Sequence, residues 1–346
     1  MFSKIRSLIF KLEPEVAHDL AIKALKYNFV PPKKILNSKL IETNVFSKTI
    51  PNPIGLAAGF DKDAEVYNKI FDLGFGFAEV GTVTPLKQYG NEKPRVFRLE
   101  EDKALINRLG FNNSGSEKIS SRIINNAPKG LLGINIGPNK NSTNRLEDYL
   151  ICFKKFHNLA DYITINISSP NTENLRSLHN ESELNELLGS INDEKKKLNS
   201  KVSLAVKISP DIHEDEVSVI SDLLLKFNIS AVIISNSTDS TRENLININK
   251  LEKGGLSGKP LKNKSNDLIS KFYKFLKGKI IIIGVGGVDS GHTAYEKFLR
   301  GANLVQLYTG MVYEGPNIAS KISNELINIL EEKGVKNISD IIGNQK

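Results

Sequence analysis

Residues 162–176 read YITINISSPNTENLR, an apolar strand that runs out into a dense set of hydroxyl and amide side chains. Ser, Pro and Asn are also the ordinary residues of a turn, so this segment alone decides nothing. Its weight comes from recurrence, because other apolar runs end in equally reactive or equally small residues. Ala57-Ala58-Gly59-Phe60-Asp61-Lys62 couples close backbone approach to a cation. Lys207 stands inside the apolar run AVKIS, where a buried ammonium without an anion is costly. Its partner is either a carboxylate of the same core or a negatively charged ligand. Lys62 follows Asp61, so a local surface ion pair competes with ligand contact there. Together these residues suit a flat, anionic ligand.

Something regular must present these tips on one surface. Apolar, β-branched runs occur at 54–58, 77–83, 131–136, 162–167, 204–208, 231–235, 279–285 and 304–308. Helical patterns lie between and after them, at 64–73, 114–125, 145–159, 181–198, 214–227, 263–276, 291–300 and 317–332. Continuous apolar strands alternating with helices imply a parallel sheet covered on both sides. Eight such units predict an α/β fold of the closed (β/α)8 TIM barrel type. A doubly wound open sheet competes, but Gly55-Leu56-Ala57-Ala58-Gly59 does not fit the G-x-G-x-x-G fingerprint expected after its first strand. In a barrel, active sites form at the C-terminal strand ends. The predicted helix after Gly287 starts near Ser290, so its free N–H groups are candidates for holding a phosphate.

Composition narrows the class further. A chain of 346 residues fits one barrel plus an appendage. The single Cys152 excludes an intramolecular disulfide and a multi-cysteine metal site; its apolar-periodic setting reads as a buried helical thiol, and no metal is expected. The net charge of +8 raises nucleic acid as a partner, but the lysines are scattered and the dense run 194–197 reads as solvated surface. No run reaches the length of about 18 apolar residues needed to span a bilayer.

AAGFDK (57–62), GTVTP (81–85), INRLGFNN (106–113), NISSPNT (166–172), VKISPD (206–211), GGLSGKPL (254–261), IGVGGV (283–288) and VQLYTG (305–310), in this order, closely resemble the dihydroorotate dehydrogenase family. The resemblance implies FMN in a TIM barrel and oxidation of (S)-dihydroorotate to orotate in pyrimidine synthesis. Ser169 stands where that family carries its catalytic base, which is cysteine in the soluble forms and serine in the quinone-reducing membrane class. FMN contacts carried over motif by motif are Ala58, Gly59, Phe60, Asp61, Lys62, Thr82, Asn135, Asn166, Lys207, Ser235, Gly258, Gly287, Tyr308 and Thr309. Substrate contacts are Lys62, Asn107, Arg108, Leu109, Gly110, Phe111, Asn166, Asn171, Asn236 and Ser237. Ser235 and Ser237 replace the usual threonines while keeping the hydroxyl, and Pro138 replaces a common lysine after INIG.

Ahead of the barrel, Phe2, Ile5, Leu8, Ile9 and Leu12 recur at helical spacing with Lys4, Arg6 and Lys11 on the polar side, and Pro14 opens a second helix reaching Tyr27. Such a pair either caps the bottom of the barrel or lies in a membrane interface. The resemblance favours the second, with residues 1–40 as a quinone and membrane extension, 41–346 as the catalytic barrel, and His18, Arg98 and Tyr308 at the quinone site. An extension that begins almost at Met1 leaves no room for a transit peptide. The expected setting is therefore the cytoplasmic side of a bacterial inner membrane, held peripherally, as a monomer, with dihydroorotate and quinone as partners and no nucleic acid. Competing readings are a soluble relative using fumarate or NAD, an FMN barrel acting on tRNA, which should carry a catalytic cysteine and a further C-terminal domain, and a non-catalytic flavin scaffold.

Overall fold

The computed structural model describes residues 2–33, 37–172, 175–240 and 242–345; positions 173 and 174 of the Ser169 loop and 34–36 of the N-terminal segment lie outside them. Two helices come first, α1 (Phe2–Ile9) and α2 (Pro14–Lys26), followed by a hairpin of β1 (Thr43–Val45) and β2 (Lys48–Ile50). The barrel then runs β3 (Ile54–Leu56), α3 (Tyr67–Phe71), β4 (Phe77–Val83), and, after an excursion through β5 (Val96–Leu99) and β6 (Ala104–Asn107), α4 (Ser116–Asn125). It continues with β7 (Leu131–Ile136), α5 (Arg145–Phe156), β8 (Tyr162–Asn166), α6 (Glu181–Lys197), β9 (Ser203–Lys207), α7 (Glu214–Lys226) and β10 (Ala231–Ile234). A second excursion, β11 (Gly255–Gly258), precedes α8 (Lys262–Leu276), β12 (Ile281–Val285), α9 (Gly291–Leu299), β13 (Leu304–Leu307), α10 (Thr309–Glu314) and α11 (Ile318–Glu332).

β3, β4, β7, β8, β9, β10, β12 and β13 are parallel to their neighbours and close into the eight-stranded barrel that the apolar runs predict. Inside it, large rings face glycines: a Cβ on Gly55 would sit 2.3 Å from the Phe77 ring, and one on Gly133 would sit 2.1 Å from that of Tyr162. The rings therefore fill the lower barrel only because their neighbours lack side chains. The hairpin finishes the floor, with Phe46 stacked on Tyr162 at 4.8 Å and Val45 and Ile50 buried against the same cluster. Of the two readings of the N-terminal pair, the cap on the barrel floor is the one not seen, since α1 and α2 pack beside the mouth, against α10 and β5.

The helix expected at 64–73 is shorter, because the Asp61 carboxylate accepts from the N–H groups of Glu65 and Val66 and Ala64 takes a φ of 53°, holding the chain in a loop until Tyr67. Cys152 is buried on α5 as expected, and burial pushes its thiol pKa well up. Among the described residues no helix is long and apolar enough to cross a membrane.

Candidate active site

The C-terminal strand ends open into a cavity that, with its mouth, encloses about 1220 Å³. Ala58, Gly59 and Lys62 enter from β3, Thr82 from β4, Asn166, Ser169 and Asn171 from β8, Lys207 from β9, and Ser235, Asn236 and Ser237 from β10. Gly287 follows β12, and Tyr308 and Thr309 follow β13.

A third sheet carries the rest. β11 pairs antiparallel with β6, and β6 with β5, so the excursions after β4 and β10 form one structure over the mouth. It brings in Asn107, Leu109, Gly110, Phe111 and Gly258. The Asn171 amide donates to the Asn107 carbonyl at 3.1 Å, and Gln88 holds the carbonyls of Gly110 and Phe111 at 3.0 and 3.1 Å.

Beneath the cavity lies a hydrogen-bonded ladder. Glu79, buried inside the barrel, accepts from Asn135 Nδ2 (2.8 Å), the Tyr162 hydroxyl (2.9 Å), Thr164 Oγ1 (3.2 Å) and Gln306 Nε2 (3.0 Å). Asn135 Oδ1 accepts from Thr82 Oγ1 (2.6 Å) and Asn166 Nδ2 (3.2 Å). Asn166 Oδ1 accepts from Ser168 Oγ (2.8 Å), which in turn accepts from Asn236 Nδ2 (2.9 Å). Asn135 is fully buried and orients Thr82 and Asn166 from below rather than reaching the cavity.

Two cations stand out above this ladder. Neither Lys62 nor Lys207 donates a hydrogen bond or forms an ion pair among the described residues, although Lys207 is buried, Lys62 is half-buried and both line the cavity. Burial lowers the Lys207 pKa, with Glu79 partly opposing; burial lowers that of Lys62, with Glu15, Asp63 and Asp19 opposing. A buried ammonium without a partner is the signature of a site built for an anion. Ser169 Oγ accepts from the N–H of Asn171 at 3.2 Å, so its lone pairs are oriented by the loop.

Several predicted residues lie elsewhere. Asp61 faces away as the loop cap described above, and Arg108 braces the roof, donating to Glu252 (2.8 Å) and to the carbonyls of Lys253 and Pro94, with its guanidinium 4.6 Å from the centre of the Phe97 ring. Phe60 points toward α2, where His18, Phe60 and Tyr308 meet edge to face with centroids 5.2 to 6.5 Å apart. Burial and the charge of Lys62 push the His18 pKa down to about 3, so this imidazole is neutral. Arg98 donates to the carbonyls of Phe10 (3.1 Å) and Leu12 (2.8 Å), pinning the turn between α1 and α2.

The expected phosphate site at the start of α9 is not formed, because its N–H groups are taken. Ser290 accepts from Thr293, and Glu325 accepts from Gly291 at 2.5 Å. The glycine pair Gly286 and Gly287, at φ 113° and 70°, faces the cavity instead, opposite Thr309 and Gly310. Sequence reasoning also missed Lys103, Ser257 and Arg176. Ser257 shares a 2.8 Å hydrogen bond with Thr309 and was visible inside GGLSGKPL. Arg176 ties the carbonyls of Ser168 and Ser237 together, and Lys103 lines the mouth; neither carries a local signal.

A closed barrel with a glycine-lined mouth, an amide ladder and two ammoniums without ion-pair partners among the described residues has the makings of an enzyme site for anionic ligands. A family model described as dihydroorotate dehydrogenase matches residues 40–330. Relatives from Bartonella tribocorum and Idiomarina loihiensis, both named dihydroorotate dehydrogenase (quinone), are each 45% identical over 340 residues, covering 97% and 94% of this chain and 94% and 100% of their own. The crystal structure of DHODH from Eimeria tenella in complex with ferulenol superposes with a TM-score of 0.93 at 36% identity, covering 97% of this chain and 98% of that one. This chain belongs to the dihydroorotate dehydrogenase family, and membership implies a flavin cofactor.

Proposed function

We propose that this chain oxidises (S)-dihydroorotate to orotate with FMN as cofactor and quinone as electron acceptor, the redox step of pyrimidine synthesis. The observation that carries this reading is the meeting of Ser169, Lys62 and Lys207 in one glycine-lined cavity. The residues fit the flavin: Lys207 offers an unneutralised positive charge, and a Cβ on Gly59 would project into open space with nothing within 4 Å. Held there, a flavin would supply the acceptor for the C6 hydride of the substrate and the electron relay to quinone.

The protein's own part is positioning and proton transfer. Lys62 faces the substrate carboxylate, and the amides of Asn107, Asn171 and Asn236 address the ring's amide groups. Ser169 Oγ takes the C5 proton as the C6 hydride departs, and its own hydroxyl proton leaves through Thr172 or water. Lys207, held in place without a protein counter-ion, stabilises negative charge on the cofactor. Ser235 and Ser237 keep the hydroxyl function of the threonines they replace, and Gly286, Gly287, Thr309 and Gly310, which line the cavity, would hold the cofactor's phosphate.

Residues 1–40 form the quinone arm. The apolar side chains of Ile5, Leu8, Leu12, Val16 and Leu20 are exposed along α1 and α2, a stripe suited to peripheral contact with the bilayer in which a lipid-soluble quinone resides. Neutral His18 and Tyr308 meet the quinone between this stripe and the flavin, with Arg98 bracing the turn. The proposed location is the cytoplasmic side of a bacterial inner membrane. Anaerobic addition of dihydroorotate should bleach the yellow holoenzyme, and a ubiquinone or menaquinone analogue should restore the colour. Restoration by fumarate or NAD but not by quinone would overturn the assignment of the acceptor.

A further inference from the structure

The loop between β10 and β11 holds three large apolar side chains in water: Ile246, Ile248 and Leu251 are 75%, 76% and 76% exposed. This is no slack tip. The Asp102 carboxylate accepts from the N–H groups of Ile246 (2.9 Å) and Asn247 (3.1 Å), Asn247 caps the N–H of Asn249 (2.9 Å), and Arg242 donates to the carbonyls of Lys250, Glu252 and Gly254. Leu245 anchors the segment in a small core with Leu99, Ile106 and Leu256. The backbone is thus fixed with its apolar side chains turned outward. Such a surface on a soluble monomer marks a contact site.

Its neighbour identifies the occupant. Asn249 Nδ2 donates to the Arg98 carbonyl at 2.9 Å, and the Arg98 guanidinium holds the carbonyls of Phe10 and Leu12. One residue therefore joins this turn to the turn between α1 and α2, where Leu8 and Leu12 begin the exposed stripe. Lys4 and Lys11 flank the helical stripe in sequence and are exposed, as suits anionic headgroups, while at the 246–251 turn the exposed Lys253 is balanced by the exposed Glu101 and Glu243, so contact there is apolar. We propose that Ile246, Ile248 and Leu251 form a second lipid-contacting element, joined to the helical stripe through Arg98, so that the enzyme docks on the bilayer through two adjoining elements. This rests on the membrane reading given above.

The test uses full-length, FMN-loaded protein and vesicles of phosphatidylethanolamine and phosphatidylglycerol at about 3:1. Ile246→Ser/Ile248→Ser/Leu251→Ser should weaken vesicle binding by about tenfold or more, since each side chain removes apolar area from the contact. Bleaching by dihydroorotate in solution should stay unchanged. The chain contains no tryptophan, so Ile248→Trp is a clean reporter. Its emission should shift to the blue on adding vesicles and be quenched by brominated lipid. Equal binding by the triple variant and wild type, with Trp emission unmoved, overturns this proposal while Leu8→Ser/Leu12→Ser still tests the helical stripe. Failure of the wild type to bind vesicles overturns both. A lipid-free dimer abolished by the triple substitution would assign the surface to a second copy of the chain and overturn the lipid assignment.

Discussion

Replacing Glu15 by Ala should release α2 from the barrel. The Glu15 carboxylate accepts from Arg95 Nε and Nη2, both at 2.9 Å, and the two side chains are only 11% and 6% exposed. Arg95 also donates to the carbonyls of Tyr89 (2.6 Å) and Asn91 (2.8 Å), so it stays in place when its partner goes. What remains is a buried guanidinium lacking its counter-charge, at a cost of about 3–5 kcal/mol. At about 1.4 kcal/mol per factor of ten, the docking equilibrium should shift by between roughly a hundred and several thousand fold. Apart from Glu15, α2 buries only Ala17 and Leu25, so local opening is the cheaper response. Hydrogen exchange over residues 14–26 should accelerate at least a hundredfold, while the barrel strands keep their protection. Reduction of vesicle-borne quinone should fall, and flavin bleaching by dihydroorotate should persist. The effect should also depend on pH. Burial pushes the Glu15 pKa up, but the hydrogen bonds and charge of Arg95, with Lys93 and Lys62, outweigh it and the net shift is downward. A lowered folded-state pKa means that the pair's contribution is complete above the ordinary carboxylate pKa and is lost as pH falls through the folded value. Wild type and variant should therefore converge in acid. Protection over 14–26 within threefold of wild type at neutral pH would refute the reasoning.

Ser169→Ala should retain FMN and slow flavin reduction by roughly 10²–10⁴-fold in stopped-flow bleaching, as expected for a lost general base; an unchanged rate removes Ser169 from the mechanism. Lys207→Met should weaken FMN retention and lower the flavin's reduction potential, which a potentiometric titration reads directly. Lys297, fully buried on the face of α9 that meets α8 and donating from its ammonium to Ser265 (2.8 Å) and Asn266 (2.9 Å), has its pKa pushed down by burial to about 7. The unfolded chain therefore holds the extra proton between pH 7 and the ordinary lysine range, so wild-type stability rises with pH across that window. Lys297→Met should lack this dependence, and its thermal midpoint should gain on wild type as pH falls from 10 to 7; parallel curves would contradict it.

The barrel was legible because each strand is a continuous β-branched run that needs no partner in view to be recognised. Strand ends overran the ladder where the last predicted residue, such as Ala58, Ser235 or Tyr308, leaves it to face the cavity. The roof was not legible. Residues 255–258 pair with 104–107 across some 150 positions, and neither short run carries a periodic signal. The floor hairpin turns at Phe46 and Ser47, with φ of 49° and 60°, without the Asn-Gly or Gly that normally advertises such a turn. The phosphate expectation failed because Glu325, more than thirty residues away, occupies the start of α9. Asn135 and Arg108, read from motifs as ligand contacts, carry a second role that no motif shows, since in the fold they hold other residues in place.

The four donors around Glu79 bear on how this barrel can change over generations. Asn135, Tyr162, Thr164 and Gln306 reach it from three different strands, and each would be left with a stranded polar group if the carboxylate were exchanged alone. Viable drift at this level of the barrel therefore proceeds in linked sets, in which an apolar residue at 79 arrives together with Phe for Tyr162 and the loss of the Gln306 amide. The Asn135 amide also anchors Thr82 and Asn166, so such a set reaches the cofactor floor in two steps. The ladder acts as a ratchet on the sequence, holding a polar barrel centre for as long as the chemistry above it is needed.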